Sequence, residues 1–397
     1  MKRWVEIGNS CPKHDGPCHE GQVAKARMGF SKPEITELLK HLKSVQWGVL
    51  LRKVTVARGG ALSPHSGLGS AHSALVERLR SGLIEEYELA SVHEYKLSNN
   101  PFKRLWRRWV GGPSRVQKLA SDSDVVHITD QEQAGLVPKS GRSVVTVHDL
   151  FHLFPHTRSD VAIGEQNPSF LRRKDLANIK RGLSRASLLI CSSKDTQQEC
   201  EIRFPGVPTS WIPLAINLHE YEIETTRPTW FKEGCNLLVV GSEEERKRLD
   251  FAVNVCAGMD VTLHKIGAES SPKSKKELLS LAESIKCNLN WIGRLEQDEL
   301  IGALQHADAL LFPSIAEGFG LPPLEAYAAG TVALVADAPA HNEVPLEHHL
   351  LPMDDVEMWR KAISELADES EAVRARAAYF SVEKWVQRHH EAYNSLF

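Results

Sequence analysis

The sequence predicts an α/β protein made of two successive parallel-sheet domains, and three observations carry that expectation. The chain has 397 residues, more than one typical domain holds. From residue 52 onward, short β-branched runs alternate with amphipathic helical stretches, the pattern of a parallel sheet covered on both faces. A polar, proline-containing stretch at 222–229 then separates one such series from a second of similar length. Two Rossmann-like domains facing each other across a cleft fit this organisation.

Taken in order, residues 1–50 read as a polar leader with one helical stretch at 35–45. The run KVTVA at 53–57 is the first strand, followed by a Gly-rich loop at 59–69 and a helix at 71–79. Further strands are expected at 88–93, 125–128, 143–148 and 188–192, with helices at 170–183 and 194–203. The second series places strands at 236–240, 261–266, 289–292, 309–312 and 332–336. A helix rich in aromatic residues and histidine, 382–396, ends the chain. The expected division is a leader (1–50), an N-terminal Rossmann-like domain (51–228), a C-terminal Rossmann-like domain (229–380) and a terminal helix (381–397).

Composition excludes several classes. With 42% hydrophobic and 25% charged residues, the chain is neither disordered nor fibrous. The net charge of -3 conceals an asymmetry: residues 1–228 hold 32 Lys/Arg against 24 Asp/Glu, and the rest hold 16 against 27. The front is therefore basic and the back acidic, which implies different partners. The cysteines, Cys11, Cys18, Cys191, Cys200, Cys235, Cys256 and Cys287, are odd in number and scattered, so a reducing compartment is expected rather than a disulfide framework. Cys11, His14, Cys18 and His19 are zinc-ligand residue types without a paired knuckle spacing, and no metal is expected there. No apolar run approaches the ~18 residues that span a bilayer, and the N-terminus lacks the apolar core of a signal peptide. The expected location is cytoplasmic.

The segment 312–330, FPSIAEGFGLPPLEAYAAG, carries the most chemistry. A strand ending at Phe312 opens into a loop with Gly318 and Gly320, and Pro322-Pro323 then start a helix where the missing N–H is tolerated. A helix N-terminus at the carboxyl edge of a parallel sheet suits phosphate binding. Glu317 and Glu325 bracket the loop and could face one ligand; taken alone, Glu325 could equally serve the helix dipole.

The run from Glu317 to Glu325, EGFGLPPLE, resembles the two-glutamate signature of family 4 (group 1) retaining glycosyltransferases. Pro313-Ser314, Ala326, Gly330 and Asn342-Glu343-Val344 sit where that family expects them, as do WIGRL at 291–295, VVTVHDL at 144–150 and IPLAIN at 212–217. The resemblance implies the GT-B architecture, with a C-terminal helix crossing back to the N-terminal domain. It also implies sugar transfer from a nucleotide diphosphate sugar, with GDP-mannose favoured, to a glycan or lipid-linked acceptor. By position, Glu325 is similar to the glutamate that binds the donor ribose and Glu317 to the one that contacts the transferred sugar. Backbone amides around Gly318, Phe319, Gly320 and Leu321 would hold the sugar and diphosphate. The segment from Gly241 through Ser242 to Arg246 and Lys247 resembles the loop after the first donor-domain strand, and Arg294 lies in a donor-side segment. Ser242 stands where many members have arginine, leaving the cation set to Arg246 and Lys247. On the residues alone, Arg246, Lys247 and Arg248 also read as a solvated helix start beside Glu243–Glu245.

His148 sits at a strand's carboxyl end and looks like the family's cleft histidine; Asp149 either orients its ring or caps the next segment. Gly67 and Gly69 resemble close-approach positions of an acceptor-side loop. The family needs no bound metal and no cofactor beyond its substrate, and it retains anomeric configuration; a same-face route is preferred because no second carboxylate stands as a nucleophile. A non-catalytic sugar-nucleotide-binding protein or partner subunit is the alternative, and an epimerase or phosphorylase is disfavoured by the glutamate spacing.

Residues 101–110, PFKRLWRRWV, place Phe102, Leu105, Trp106, Trp109 and Val110 on an arc of about 140° at ~100° per residue. Lys103, Arg104, Arg107 and Arg108 fill the other face, and Gly111-Gly112-Pro113 is expected to end the helix. Such a helix suits an anionic membrane surface, or packs its apolar face on the sheet with a solvated basic face. Nucleic acid is not expected as a partner, because no recognition module accompanies the charge.

Overall fold

The computed structural model describes residues 51–62 and 67–397. The leader, its helix at 35–45, the Cys11–His19 group and residues 63–66 of the Gly-rich loop lie outside the described residues.

The N-terminal sheet contains β1 (Arg52–Gly60), β2 (Tyr87–Tyr95), β3 (Val125–Ile128) and β4 (Arg142–Val147). A small antiparallel hairpin follows, β5 (His156–Arg158) and β6 (Val161–Ile163), and then β7 (Leu188–Cys191) and β8 (Thr209–Trp211) return to the sheet. The second sheet uses β9 (Cys235–Val240), β10 (Val261–Ile266), β11 (Leu289–Gly293), β12 (Ala309–Phe312), β13 (Ala333–Ala336) and β14 (Leu350–Leu351). Each sheet is six-stranded and parallel, ordered β2-β1-β3-β4-β7-β8 and β11-β10-β9-β12-β13-β14. Strands such as LLIC and ALLF are buried at every position, as expected when helices cover both faces. Strand order reverses between β1 and β3 in one sheet and between β9 and β12 in the other, and crevices that hold ligands open at such reversals.

Two passages join the halves. Ile216 pairs with Ser381 in an isolated parallel bridge, and the Ile216 amide donates to the Phe380 carbonyl at 3.0 Å. The terminal helix Val382–Asn394 then lies on the N-terminal core. Trp385, Ala392 and Tyr393 pack with Val54, Val56, Leu188 and Ile190, the Tyr393 hydroxyl meets His127 Nδ1 at 2.7 Å, and Arg52 donates to Asn394 at 2.7 Å. The expected crossing helix is thus present.

Two local expectations are corrected. Gly67 and Gly69 open the helix Gly67–Arg80 instead of lying in a loop. The basic helix does not stop at Gly111-Gly112-Pro113. It runs from Pro101–Trp106 through a π-helical turn, Arg107–Gly111, into Gly112–Leu119. The Gly112 amide reaches back to the Arg107 carbonyl, and this wider turn accommodates Pro113, which has no N–H to give.

Candidate active site at the facing sheet edges

The loops after β9 and β12 flank the strand-order reversal and are zipped together. The Ile315 amide donates to the Arg246 carbonyl at 2.9 Å, and the Ser314 hydroxyl donates to the same carbonyl at 3.1 Å. On this frame the Glu317 carboxylate accepts three groups: Arg246 Nη1 at 2.8 Å, Lys247 Nζ at 3.3 Å and the Ser314 hydroxyl at 2.9 Å. Burial opposes ionisation of Glu317, but Lys247, Arg246 and Ser314 outweigh it and hold the carboxyl below the usual glutamate range. Gly241, at φ +152°, lets the Lys247 stem lie over the backbone; a Cβ there would meet Lys247 Cδ at 2.9 Å. Arg246 and Lys247 are therefore mostly buried cations that share Glu317, with Arg246 also paired to Glu244 at 2.9 Å, and not a solvated helix start. The helix begins only at Leu249, and Arg248 turns away to Asp354 and the Met353 carbonyl. Glu243 is also inward, paired at 2.5 Å with the fully buried Lys265, which lies 3.9 Å from the Trp291 ring.

The opposite edge is built around His148, which makes no salt bridge. The His148 amide donates to Gln131 at 3.0 Å and its Nε2 faces the Thr129 carbonyl at 3.3 Å. Asp149 takes the capping role: its Oδ1 accepts from the Phe151 amide at 3.1 Å, and burial raises its carboxyl above the usual range. Gly318 closes the gap between the edges. A Cβ on Gly318 would stand 2.4 Å from the His148 carbonyl oxygen, and the Gly318 carbonyl accepts from the Ser192 hydroxyl at 2.9 Å. Contacts around this junction reinforce it: Arg158 donates to the Ile315 carbonyl at 2.8 Å, and Glu343 accepts from the Lys194 and Asp195 amides at 2.6 and 3.0 Å. Glu343 thereby satisfies free N–H groups at the start of the helix Lys194–Arg203.

Space lies on both sides of this contact. A cavity of about 400 Å³ is lined by Asp149, His152, Glu244, Arg246, Glu317 and Gly318. A smaller one, about 80 Å³, is lined by Gly67, Thr129, His148, Ser192 and Leu321. Glu325 lies in the helix Leu321–Ala329, whose N-cap is Gly320. Burial pushes the Glu325 carboxyl up to about 7, partly offset by a hydrogen bond from the buried Tyr221. Gln297 in turn donates to the Tyr221 hydroxyl at 3.1 Å.

Of the residues singled out in the sequence, Glu317, Arg246, Lys247, Gly241, Gly318, His148 and Asp149 meet at this junction. The ring of Phe319, whose backbone amide was the expected contact, packs edge-on against Phe380, with centroids 5.7 Å apart. The Ser242 hydroxyl donates to Glu244 at 2.8 Å, and Arg294 is exposed beyond β11. Sequence reasoning missed Ser192, Tyr221, Gln297 and Arg158, each of which acts by tertiary contact with no spacing signal. Ser314 and Glu343 were quoted only as family positions, with no role attached.

Residues 224–380 match the sequence family described as glycosyl transferases group 1. Among curated proteins, the chain is 34% identical over 90 residues to the O-antigen chain mannosyltransferase RfbU of Salmonella typhimurium, covering 22% of this chain and 26% of that protein. It is 24% identical over 221 residues to the serotype-specific mannosyltransferase WbdA of Escherichia coli, covering 51% and 26%. The chain spans about a quarter of the length of these curated relatives. Among solved structures, sucrose-phosphate synthase from Thermosynechococcus elongatus superposes with a TM-score of 0.67 at 17% identity over 87% of this chain and 99% of that one. Anabaena HepE in complex with UDP-glucose gives 0.66 at 16% identity over 87% and 100%. The zipped loops of β9 and β12, the two-sheet architecture and these similarities agree: residues 224–380 match the group 1 glycosyltransferases, part of the chain is similar in sequence to mannosyltransferases, and the fold is GT-B.

Proposed function

We propose that the chain moves a hexose from a nucleotide diphosphate sugar, GDP-mannose being favoured, to a glycan or lipid-linked acceptor with retention of configuration. The observation that carries this reading is the Glu317–Arg246–Lys247 cluster at the switch point, set against His148 across the Gly318 contact. Breaking the bond between sugar and diphosphate leaves negative charge on the departing phosphate, and fixed cations in a site of low dielectric stabilise it. Lys247 makes one of its three possible donations to Glu317, so it has donors left for a phosphate oxygen. Arg246 and the N-terminus of the helix Leu321–Ala329 add positive charge, and no metal is needed. Glu325, ionised when the ribose hydroxyls donate to it, would hold the nucleoside, while Glu317 and His148 position the sugar. Closure over Gly318 excludes water that would otherwise hydrolyse the donor. The mannosyl donor is favoured because RfbU and WbdA are named mannosyltransferases; the HepE complex with UDP-glucose keeps a uridine donor as the contrasting arm.

Membrane association at a cytoplasmic face belongs to the same reading. No helix among the described residues is long and apolar enough to cross a membrane. Three of the five stripe residues of the basic helix are exposed, Phe102, Trp106 and Val110 at 82%, 59% and 50%, with Lys103 and Arg104 exposed beside them, while Leu105 and Trp109 are half-buried and Trp109 donates to Asp175. Rings flanked by cations on a surface helix fit an anionic lipid interface, where a lipid-linked acceptor would lie.

Thermal-shift screening with GDP- and UDP-sugars, followed by nucleotide-release assays on wild type and Glu317→Ala, tests the reaction. Donor-dependent release that Glu317→Ala abolishes supports transfer. Binding without release under every acceptor mixture would assign the chain to the non-catalytic alternative. Co-sedimentation with phosphatidylglycerol vesicles, lost in Phe102→Ser/Trp106→Ser, tests the membrane contact separately.

A further inference from the structure

The C-terminal domain holds a second cluster of polar side chains that uses none of the residues above. The turn Glu347–His349, just before β14, brings His348 and His349 against Glu369, the N-cap of the helix Ser370–Ala377. His348 Nε2 lies 2.8 Å from Glu369 Oε2, and His349 Nε2 lies 3.3 Å from Glu369 Oε1. One ligand atom from each of the three residues falls within 4.8 Å of the other two. We propose that His348, His349 and Glu369 form a binding site for a zinc-class divalent cation, with a fourth position open to solvent.

Four features support it. Two imidazoles and one carboxylate are a donor set that zinc accepts, commonly with water as the fourth ligand. Tetrahedral ligands about 2.0 Å from zinc stand roughly 3.3 Å apart, so the 3.3 Å pair already fits, the 2.8 Å pair must open slightly, and the widest separation, within 4.8 Å, must close by at most about 1.5 Å. The buried ring of His349 is oriented by a second partner: its Nδ1 meets the Tyr327 hydroxyl at 2.5 Å, and that hydroxyl also accepts from the Leu346 amide at 3.0 Å. Bound metal sites hold their histidines in this way, with the outer ring nitrogen fixed by a neighbouring polar group. The side chain of His348, by contrast, is 59% exposed, which leaves the metal an entry path.

A plain ion-pair cluster would not discriminate among cations. The site ties the turn before β14 to the start of the helix Ser370–Ala377, segments twenty residues apart in the chain. Through Tyr327 it also touches the helix that carries Glu325. Metal binding there is therefore expected to stiffen the donor-side domain without entering the reaction.

The test uses the full chain, stripped with chelator and desalted, then titrated with zinc chloride against a chromophoric competitor. Wild type is expected to bind one equivalent that His348→Ala and Glu369→Gln each weaken at least about tenfold. Magnesium should not compete, and a Cys11→Ser/Cys18→Ser variant should bind as wild type does. Added zinc should also raise the melting temperature of wild type and not of His348→Ala, whose exposed position leaves folding intact. Equal affinity and stoichiometry in wild type and His348→Ala would overturn the proposal, as would zinc binding lost in the cysteine variant or no binding at all below millimolar metal.

Discussion

The two sheet edges that face each other across Gly318 solve different electrostatic problems. On the C-terminal side, Glu317 pairs with Arg246 and Lys247, Arg246 also pairs with Glu244, and Ser314 donates to the Glu317 carboxylate. On the N-terminal side, His148 is held by a side-chain amide and a backbone carbonyl, with no salt bridge. The chain-wide charge runs the other way, since the half of the sequence containing the charged edge carries the net negative charge. Net charge by domain thus says little about where an anionic substrate binds; local pairing of a few buried side chains decides it.

The largest effect should come from removing the carboxylate that both cations share. Glu317→Ala leaves Lys247 mostly buried and without its carboxylate and Arg246 with Glu244 alone, and truncating one partner of a buried pair costs about 3 kcal/mol or more. Activity should fall by roughly 10²-fold or more, the scale of losing one charge-stabilising group. Glu317→Gln should restore part of the stability but not the activity. Because the folded Glu317 carboxyl sits below its unfolded value, its contribution to stability is full above the unfolded value of about 4.3 and is lost as pH falls through the folded one. Urea unfolding from pH 7 to pH 3 should therefore be steeper for wild type than for Glu317→Gln. Equal slopes would show that the two charged partners do not set the properties of this edge.

Gly318→Ala attacks the comparison at its contact point. The added methyl would overlap the His148 carbonyl oxygen, so the edges must separate and the Ser192 hydrogen bond must lengthen. A loss of activity of at least about tenfold is expected, since misplacing groups by about 1 Å can cost 10²-fold. Turnover should suffer more than nucleotide binding, measured by separate kcat and Kd determinations. Unchanged turnover would mean that the two edges work apart.

The same edges show how much could be read from sequence. Strands 125–128, 261–266 and 309–312 and helices 170–183 and 194–203 coincide with the structure, because a run buried on both faces or a strong helical period announces itself locally. Glu317, Gly318 and His148 were legible through motif position. The hairpin β5–β6 was not: its turn uses Ser159 and Asp160 at positive φ, without the glycine that normally signals such a turn. Tyr221 and Gln297 carry no local pattern, since Tyr221 reaches Glu325, and Gln297 reaches Tyr221, only through the fold. The stop expected at Gly111-Gly112-Pro113 failed because a π-turn absorbs the proline, which no propensity scale registers.

The smallest expected effect concerns the link between Tyr221 and Glu325, and it sharpens the contrast because this carboxyl has no cation beside it. Burial raises Glu325 to about 7, well above its unfolded value of about 4.3. The sign follows from proton counting: the folded chain binds the extra proton between these values, so the stabilisation is complete below the unfolded value and disappears as pH rises through about 7. Glu325→Gln, permanently neutral, should lack this decline and be more stable than wild type at pH 8, by about 1–2 kcal/mol. Nucleotide affinity should show the opposite trend in wild type, tightening as pH rises through 7, because an ionised carboxylate accepts ribose hydroxyls better than a protonated one. Tyr221→Phe removes the one hydrogen bond that favours ionisation. It should shift both transitions upward in pH and weaken nucleotide binding at pH 7 by about two- to tenfold, one hydrogen bond being worth about 0.5–1.5 kcal/mol. Isothermal titration with GDP and UDP across pH 6–9 measures all three variants. A pH-independent affinity in wild type would show that Glu325 meets the ribose without changing its protonation, and that the neutral character of its surroundings has no bearing on donor binding.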